Sequence, residues 1–144
     1  MNCPFDSAIL STISSIPMTC AHFSRLRPKV WLSDEIINFY MAMLEDYSKD
    51  RAQRSDGEMR DHYFASGFMA LLTDSPNSSG INYANVHRFT MSTMGRDEQD
   101  LFMTNKIFIP LPTPGHWTMI VIFMQERRIV HYNSMWDSGE IGLQ

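Results

Sequence analysis

The sequence predicts an α+β domain, on three observations. Apolar residues at helical spacing follow Ser33. Two runs near the C-terminal end, 107–111 and 116–123, are rich in β-branched and apolar residues, and a third run, 128–133, returns from the second. The helical signals come first and the strand signals afterwards, without alternation, which favours segregated α and β layers over a wound parallel sheet. A chain of 144 residues fits one domain better than two and is long enough for a real core.

The elements follow in order. Residues 8–18 are apolar and serine-rich with Pro17 inside them, and read as a strand. Thr19 is a good N-cap for a short helix over 20–26, which Pro28 closes. Ser33 caps the next helix. Asp34 and Glu35 fall in its first turn, where the helix dipole favours negative charge, and Ile36, Ile37, Phe39, Tyr40, Met41, Met43, Leu44 and Tyr47 give it a wide apolar face that predicts extensive burial. Residues 48–61 are almost all polar and read as a surface loop or frayed helix end. Helical spacing returns over 62–72, despite Gly67, and again over 83–94 with Val86 and Phe89 inward; 73–80 is turn-rich. Then come the strand 107–111, a loop at 112–115, a strand over 116–123 that is apolar on both faces and so suits a doubly covered central position, a turn at 125–127, and the return strand. We divide the chain into an N-terminal extension (1–12), a mainly helical part (13–99) and a sheet part (100–144) that contains His116.

Composition narrows the function. The net charge of −4 gives no support for nucleic-acid binding. The two cysteines, Cys3 and Cys20, form no C-x-x-C pair, which argues against a disulfide scaffold or a zinc knuckle, and Cys20 reads as a small buried hydrophobe. The five histidines are scattered without metal-ligand spacing, so no metal is expected. No segment approaches the roughly 20 apolar residues of a membrane span, and the N-terminal residues make a poor signal peptide; the expected address is nucleus or cytoplasm. Asn77-Ser78-Ser79 matches a glycosylation triplet and reads as a polar loop.

Four segments, taken together, carry more. Trp31-Leu32-Ser33-Asp34-Glu35-Ile36-Ile37-Asn38-Phe39-Tyr40 resembles the opening signature of the SUMO/sentrin proteases, the ubiquitin-like-protein-specific cysteine protease family. Tyr83, Val86, Arg88 and Thr90 are similar to that family's Tyr…Val-x-Arg-Trp-Thr segment, with Phe89 at its tryptophan. Ile107-Phe108-Ile109-Pro110 and His116-Trp117-Thr118 resemble its strand and catalytic-histidine segment. Tyr132-Asn133-Ser134-Met135 resembles its Tyr-Asp-Ser segment, and the 17 positions from His116 to Asn133 match the family's His-to-Asp spacing.

The resemblance implies a papain-like or adenovirus-protease-like fold, with N-terminal helices followed by an antiparallel hairpin sheet. It implies a cysteine thiolate that attacks the C-terminal glycine carbonyl of a modifier, a histidine that moves the proton, and an acidic residue that orients the imidazole. His116 would be the base and acid, and Asn133 the orienting residue. Trp31 and Trp117 would form a slot that only glycine fits, and Asp34 would also meet the substrate. The partner would be SUMO or another ubiquitin-like protein and its conjugates; thiol chemistry needs no cofactor. The chain departs from the family at Asn133, where aspartate is usual, and at Phe123, where an acidic residue is usual. An asparagine oxygen can serve, as in Cys-His-Asn sites, although a turned amide would present its NH₂ instead. The family's Gln…Asp-Cys-Gly segment has no counterpart in 1–144. The expectation is therefore a partial peptidase domain, inactive alone, that stops before the cysteine helix; the alternative is a non-catalytic remnant that still binds a ubiquitin-like protein or another partner.

Overall fold

The computed structural model describes residues 8–55, 57–73, 81–82, 84–85, 87, 102–135 and 140–141. The described residues begin with a hairpin of β1 (Ile9–Ile13) and β2 (Ile16–Thr19), registered Ile13 opposite Ile16. Its turn residues Ser14 and Ser15 have φ of 47° and 66°, the paired left-handed geometry that matches strand twist in a two-residue hairpin. Met18 of β2 is fully buried. Thr19 then caps α1 (Cys20–Ser24) as expected: its Oγ1 accepts from the His22 N–H, and its own N–H donates to His22 Nδ1.

α2 spans Asp34–Arg54, well past the expected end. The polar stretch stays helical because its charges sit at i,i+4 spacing, Glu45 with Lys49 and Asp50 with Arg54, and because Arg51 and Arg54 complement the C-terminal end of the dipole. The expected wide burial does not occur. Ile36, Met41, Glu45 and Ser48 are buried, whereas Tyr40, Met43 and Tyr47 are exposed. The buried stripe is narrow because α2 leans on extended backbone as well as on side chains. Ser48 Oγ accepts the Asp61 N–H at 2.7 Å, Glu45 Oε2 the Tyr63 N–H at 2.9 Å, and Asn38 Oδ1 the Ser66 N–H at 2.8 Å.

Those bonds also explain why 62–72 is not one helix. It divides into a short strand, β3 (His62–Tyr63), and a helix, α3 (Phe68–Thr73). The N–H groups that a helix would need are taken by α2 side chains, and that of Phe64 by the Phe108 carbonyl at 2.9 Å. The proposed helix over 83–94, with Tyr83, Val86, Arg88 and Thr90, falls largely outside the described residues.

The main sheet has the order β3-β4-β5-β6-β7, with β4 (Lys106–Thr113), β5 (His116–Phe123), β6 (Arg128–Tyr132) and β7 (Glu140–Ile141). The expected antiparallel hairpins are present, and β3 adds one parallel pairing to β4. Pro110 and Pro112 are tolerated within β4 by parity. Phe108 turns its carbonyl to the β3 side, so Pro110 and Pro112 turn their N–H-less nitrogens the same way, beyond the last β3 residue and away from β5.

One face of the sheet holds the core: Ile107 and Ile109 pack with Phe64 and Phe68, flanked by Met69, Leu72, Ile120 and Ile122. The other face holds Val121 and Val130, both buried, and meets α2 at the buried Met41. Phe108, Met119, Val121 and Tyr132 look across an apolar groove of roughly 360 Å³ at Tyr40, Met41 and Leu44 of α2. β5 is therefore central in the sheet, with Thr118 buried on the core face and Val121 buried on the face toward α2.

Candidate active site

The site forms where the β4–β5 turn meets the chain entering α2. Pro114 and Gly115 make a two-residue turn, with Gly115 at φ 73°, the left-handed value that the second central residue of a Pro-Gly type II turn requires. Thr113 Oγ1 donates to the His116 carbonyl at 2.7 Å and closes the turn. His116 thus begins β5, and Asn133 directly follows β6, which is antiparallel to it.

That register brings the two side chains together. His116 Nε2 lies 2.9 Å from Asn133 Oδ1, and both residues are half-buried. The same Oδ1 accepts the Met135 backbone N–H at 3.0 Å. A backbone N–H can only donate, so the second bond fixes the amide with its oxygen toward the ring. Nε2 must then carry a proton, which leaves Nδ1 as the basic nitrogen. A turned amide would set NH₂ against the Met135 N–H and lose that bond.

Beside His116 runs a groove of roughly 390 Å³ lined by Trp31, Leu32, Gly115, His116, Trp117 and Met135, among others. Trp31 is 58% exposed, and Trp117 is half-buried and donates its indole N–H to the Leu32 carbonyl at 3.0 Å. This bond ties the entry to α2 to the start of β5. Asp34 stands exposed in the first turn of α2 and does not line the groove. Beside it, the Ser33 hydroxyl holds the Glu35 carboxyl below its usual value.

Cys20 corrects an expectation. It is half-buried and disulfide-bonded, so it is neither a free thiol nor a simple core hydrophobe. Among the described residues there is no free cysteine, no cluster of three His, Cys, Asp or Glu side chains suited to a metal, and no helix long and apolar enough to cross a membrane. The sequence reading passed over Gly115, the Leu32 carbonyl and the Met135 N–H. The Pro-Gly pair directly before His116 was the available signal for the first; the other two are backbone groups with no sequence signature.

Residues 30–141 match the pattern of the Ulp1 protease family, C-terminal catalytic domain. The chain is 35% identical over 133 residues to Ubiquitin-like-specific protease 1A of Arabidopsis thaliana, covering 90% of this chain and 25% of that protein. It is 29% identical over 131 residues to human Sentrin-specific protease 2, covering 91% of this chain and 19% of the relative. It therefore spans about a quarter or less of these two relatives. Its fold is similar to the catalytic domain of the Chaetomium thermophilum Ulp1-like SUMO protease, with a TM-score of 0.73 at 22% identity over 91% of this chain and 50% of that one.

Proposed function

This chain belongs to the Ulp1 protease family, and on that footing we propose that residues 1–144 form the histidine-bearing part of a cysteine peptidase domain acting on the Gly-Gly tail of a SUMO-class modifier. The observation that carries the reading is the 2.9 Å contact between His116 and Asn133, at the edge of a groove that also holds Trp31 and Trp117. In this reading His116 Nδ1 takes the proton of a thiol. The thiolate attacks the carbonyl carbon of the terminal glycine and forms a tetrahedral oxyanion. The C–N bond to the leaving lysine then breaks, with the proton passing from imidazolium to amine. Water attacks the resulting thioester, breaking its C–S bond to release the modifier's carboxylate and restore the thiol.

Trp31 and Trp117 would grip the two glycines, since a side chain there would meet an indole. Asp34 would touch the modifier outside the groove. The thiol is not that of Cys20, whose sulfur is already bonded. The modifier would be met in nucleus or cytoplasm, and no cofactor is required.

A second reading, binding without turnover, is favoured by Asn133 at the usual aspartate position. One experiment separates the two. Residues 1–144 are joined to the cysteine-bearing segment of a family relative and given a SUMO precursor. The first reading expects processing that His116→Ala abolishes, while residues 1–144 alone stay inactive. Binding of the precursor with no processing by the fusion supports the second reading, and processing unaffected by His116→Ala defeats the first.

A further inference from the structure

The turn before His116 contains an interaction that turn geometry does not require. A Pro-Gly turn explains the φ of 73° at Gly115. It does not explain why the space a Cβ would fill is occupied: a Cβ built on Gly115 would lie 3.0 Å from Trp31 Cζ3 and 3.4 Å from Cζ2, and closer still to Cη2. All three atoms belong to the six-membered ring of the indole. Gly57, the other glycine among the described residues with φ in this region, has nothing near its Cβ position.

We infer that Gly115 is a positioning residue for the tail groove, seating the Trp31 ring against the His116 turn and thereby setting where a Gly-Gly tail can lie. The inference rests on the tail-binding reading of the groove. Trp31 is largely exposed and packed on one side, so a Cβ at position 115 would be relieved by movement of the indole and not by unfolding. Trp117 is tethered by its bond to Leu32 and would stay. The groove would then change shape on the Trp31 side alone. Placement errors of about 1 Å near a reacting centre can cost on the order of 100-fold in rate, so a small shift matters.

The test compares Gly115→Ala with Gly115→Asn in the 144-residue chain. Both add a Cβ, but asparagine tolerates left-handed backbone and spares the turn. The readouts are the Trp31 indole N–H resonance, assigned by its loss in Trp31→Phe, and the affinity for a synthetic peptide ending in Gly-Gly. Both variants are expected to move the resonance and to weaken the peptide about tenfold or more, with Gly115→Asn melting close to the parent. If asparagine restores the parental resonance and affinity, the glycine serves only the turn and the inference is overturned. A moved resonance with unchanged affinity overturns it as well. If the parent chain does not bind the peptide, the tail-binding reading fails separately; the Trp31 resonance in Gly115→Asn then decides the seat, a shift supporting it and no shift removing it.

Discussion

Asn133 carries two hydrogen bonds on one oxygen, and that arrangement decides what the substitution for aspartate does. In serine proteases the comparable exchange costs roughly 10⁴ in rate through the wrong imidazole tautomer. Here the Met135 N–H holds Oδ1 toward His116, so orientation is kept and only charge is absent. A carboxylate at 4 Å would attract an imidazolium by about 4 kcal/mol at an effective dielectric near 20, an upper figure before desolvation. In the fusion enzyme, Asn133→Asp is therefore expected to raise the processing rate between about 10-fold and 10³-fold, less than the full tautomer penalty. Equal rates would make Asn133 a fully competent orienting residue. At this scale the pairing of His116 with Asn133, their side chains 2.9 Å apart, was legible through the resemblance, whose His-to-Asp spacing these two residues match. The Met135 N–H that fixes the amide was not, because a backbone group has no residue type.

Among the elements, α2 does the most organising, and it does so through polar side chains that a periodicity argument assigns to solvent. Asn38, Glu45 and Ser48 sit on the same stripe as Met41 and hold residues 61–66 extended. Glu45 is buried together with His62, whose Nδ1 lies 3.1 Å from Oε2 but off the hydrogen-bond axis, so the contact is electrostatic more than directional. Burial raises the Glu45 carboxyl; the His62 side chain, the Tyr63 N–H and the Lys49 ammonium outweigh it, and the group sits below its ordinary 4.5. A carboxyl lowered in the folded state stabilises the fold above its unfolded value, and that contribution fades as pH falls through the folded value. Glu45→Gln should cost about 1–3 kcal/mol at pH 7, and the gap from the parent should narrow at pH 3.5. Urea midpoints at the two pH values measure this, and an equal gap at both would contradict the assignment. Apolar spacing extended the helix that begins at Phe68 back to position 62 for the same reason. Tyr63 and Phe64 fit the spacing of the helix that follows, but the decisive partners of the Asp61, Tyr63, Phe64 and Ser66 N–H groups lie at positions 48, 45, 108 and 38, distant in sequence.

For the whole molecule, the sheet was the legible part. β5 was placed at its observed bounds because β-branched residues on both faces specify a central strand, and the hairpin with β6 followed from the turn at 125–127. The parallel strand β3 and the opening hairpin were less legible. A two-residue strand has no periodicity, and β1 exposes Ile9 and Leu10, which burial patterns do not anticipate. The architecture brings three distant segments to one groove: the entry to α2, the β4–β5 turn and the residues after β6. The central claim is that this groove receives a Gly-Gly tail. Titrating the 144-residue chain with a SUMO-class modifier ending in Gly-Gly, and with the same modifier lacking those two glycines, tests it most directly. The account predicts that only the intact tail shifts the Trp31 and Trp117 indole signals and the His116 ring signals. Equal responses to both forms, or shifts confined to residues away from the groove, would contradict it.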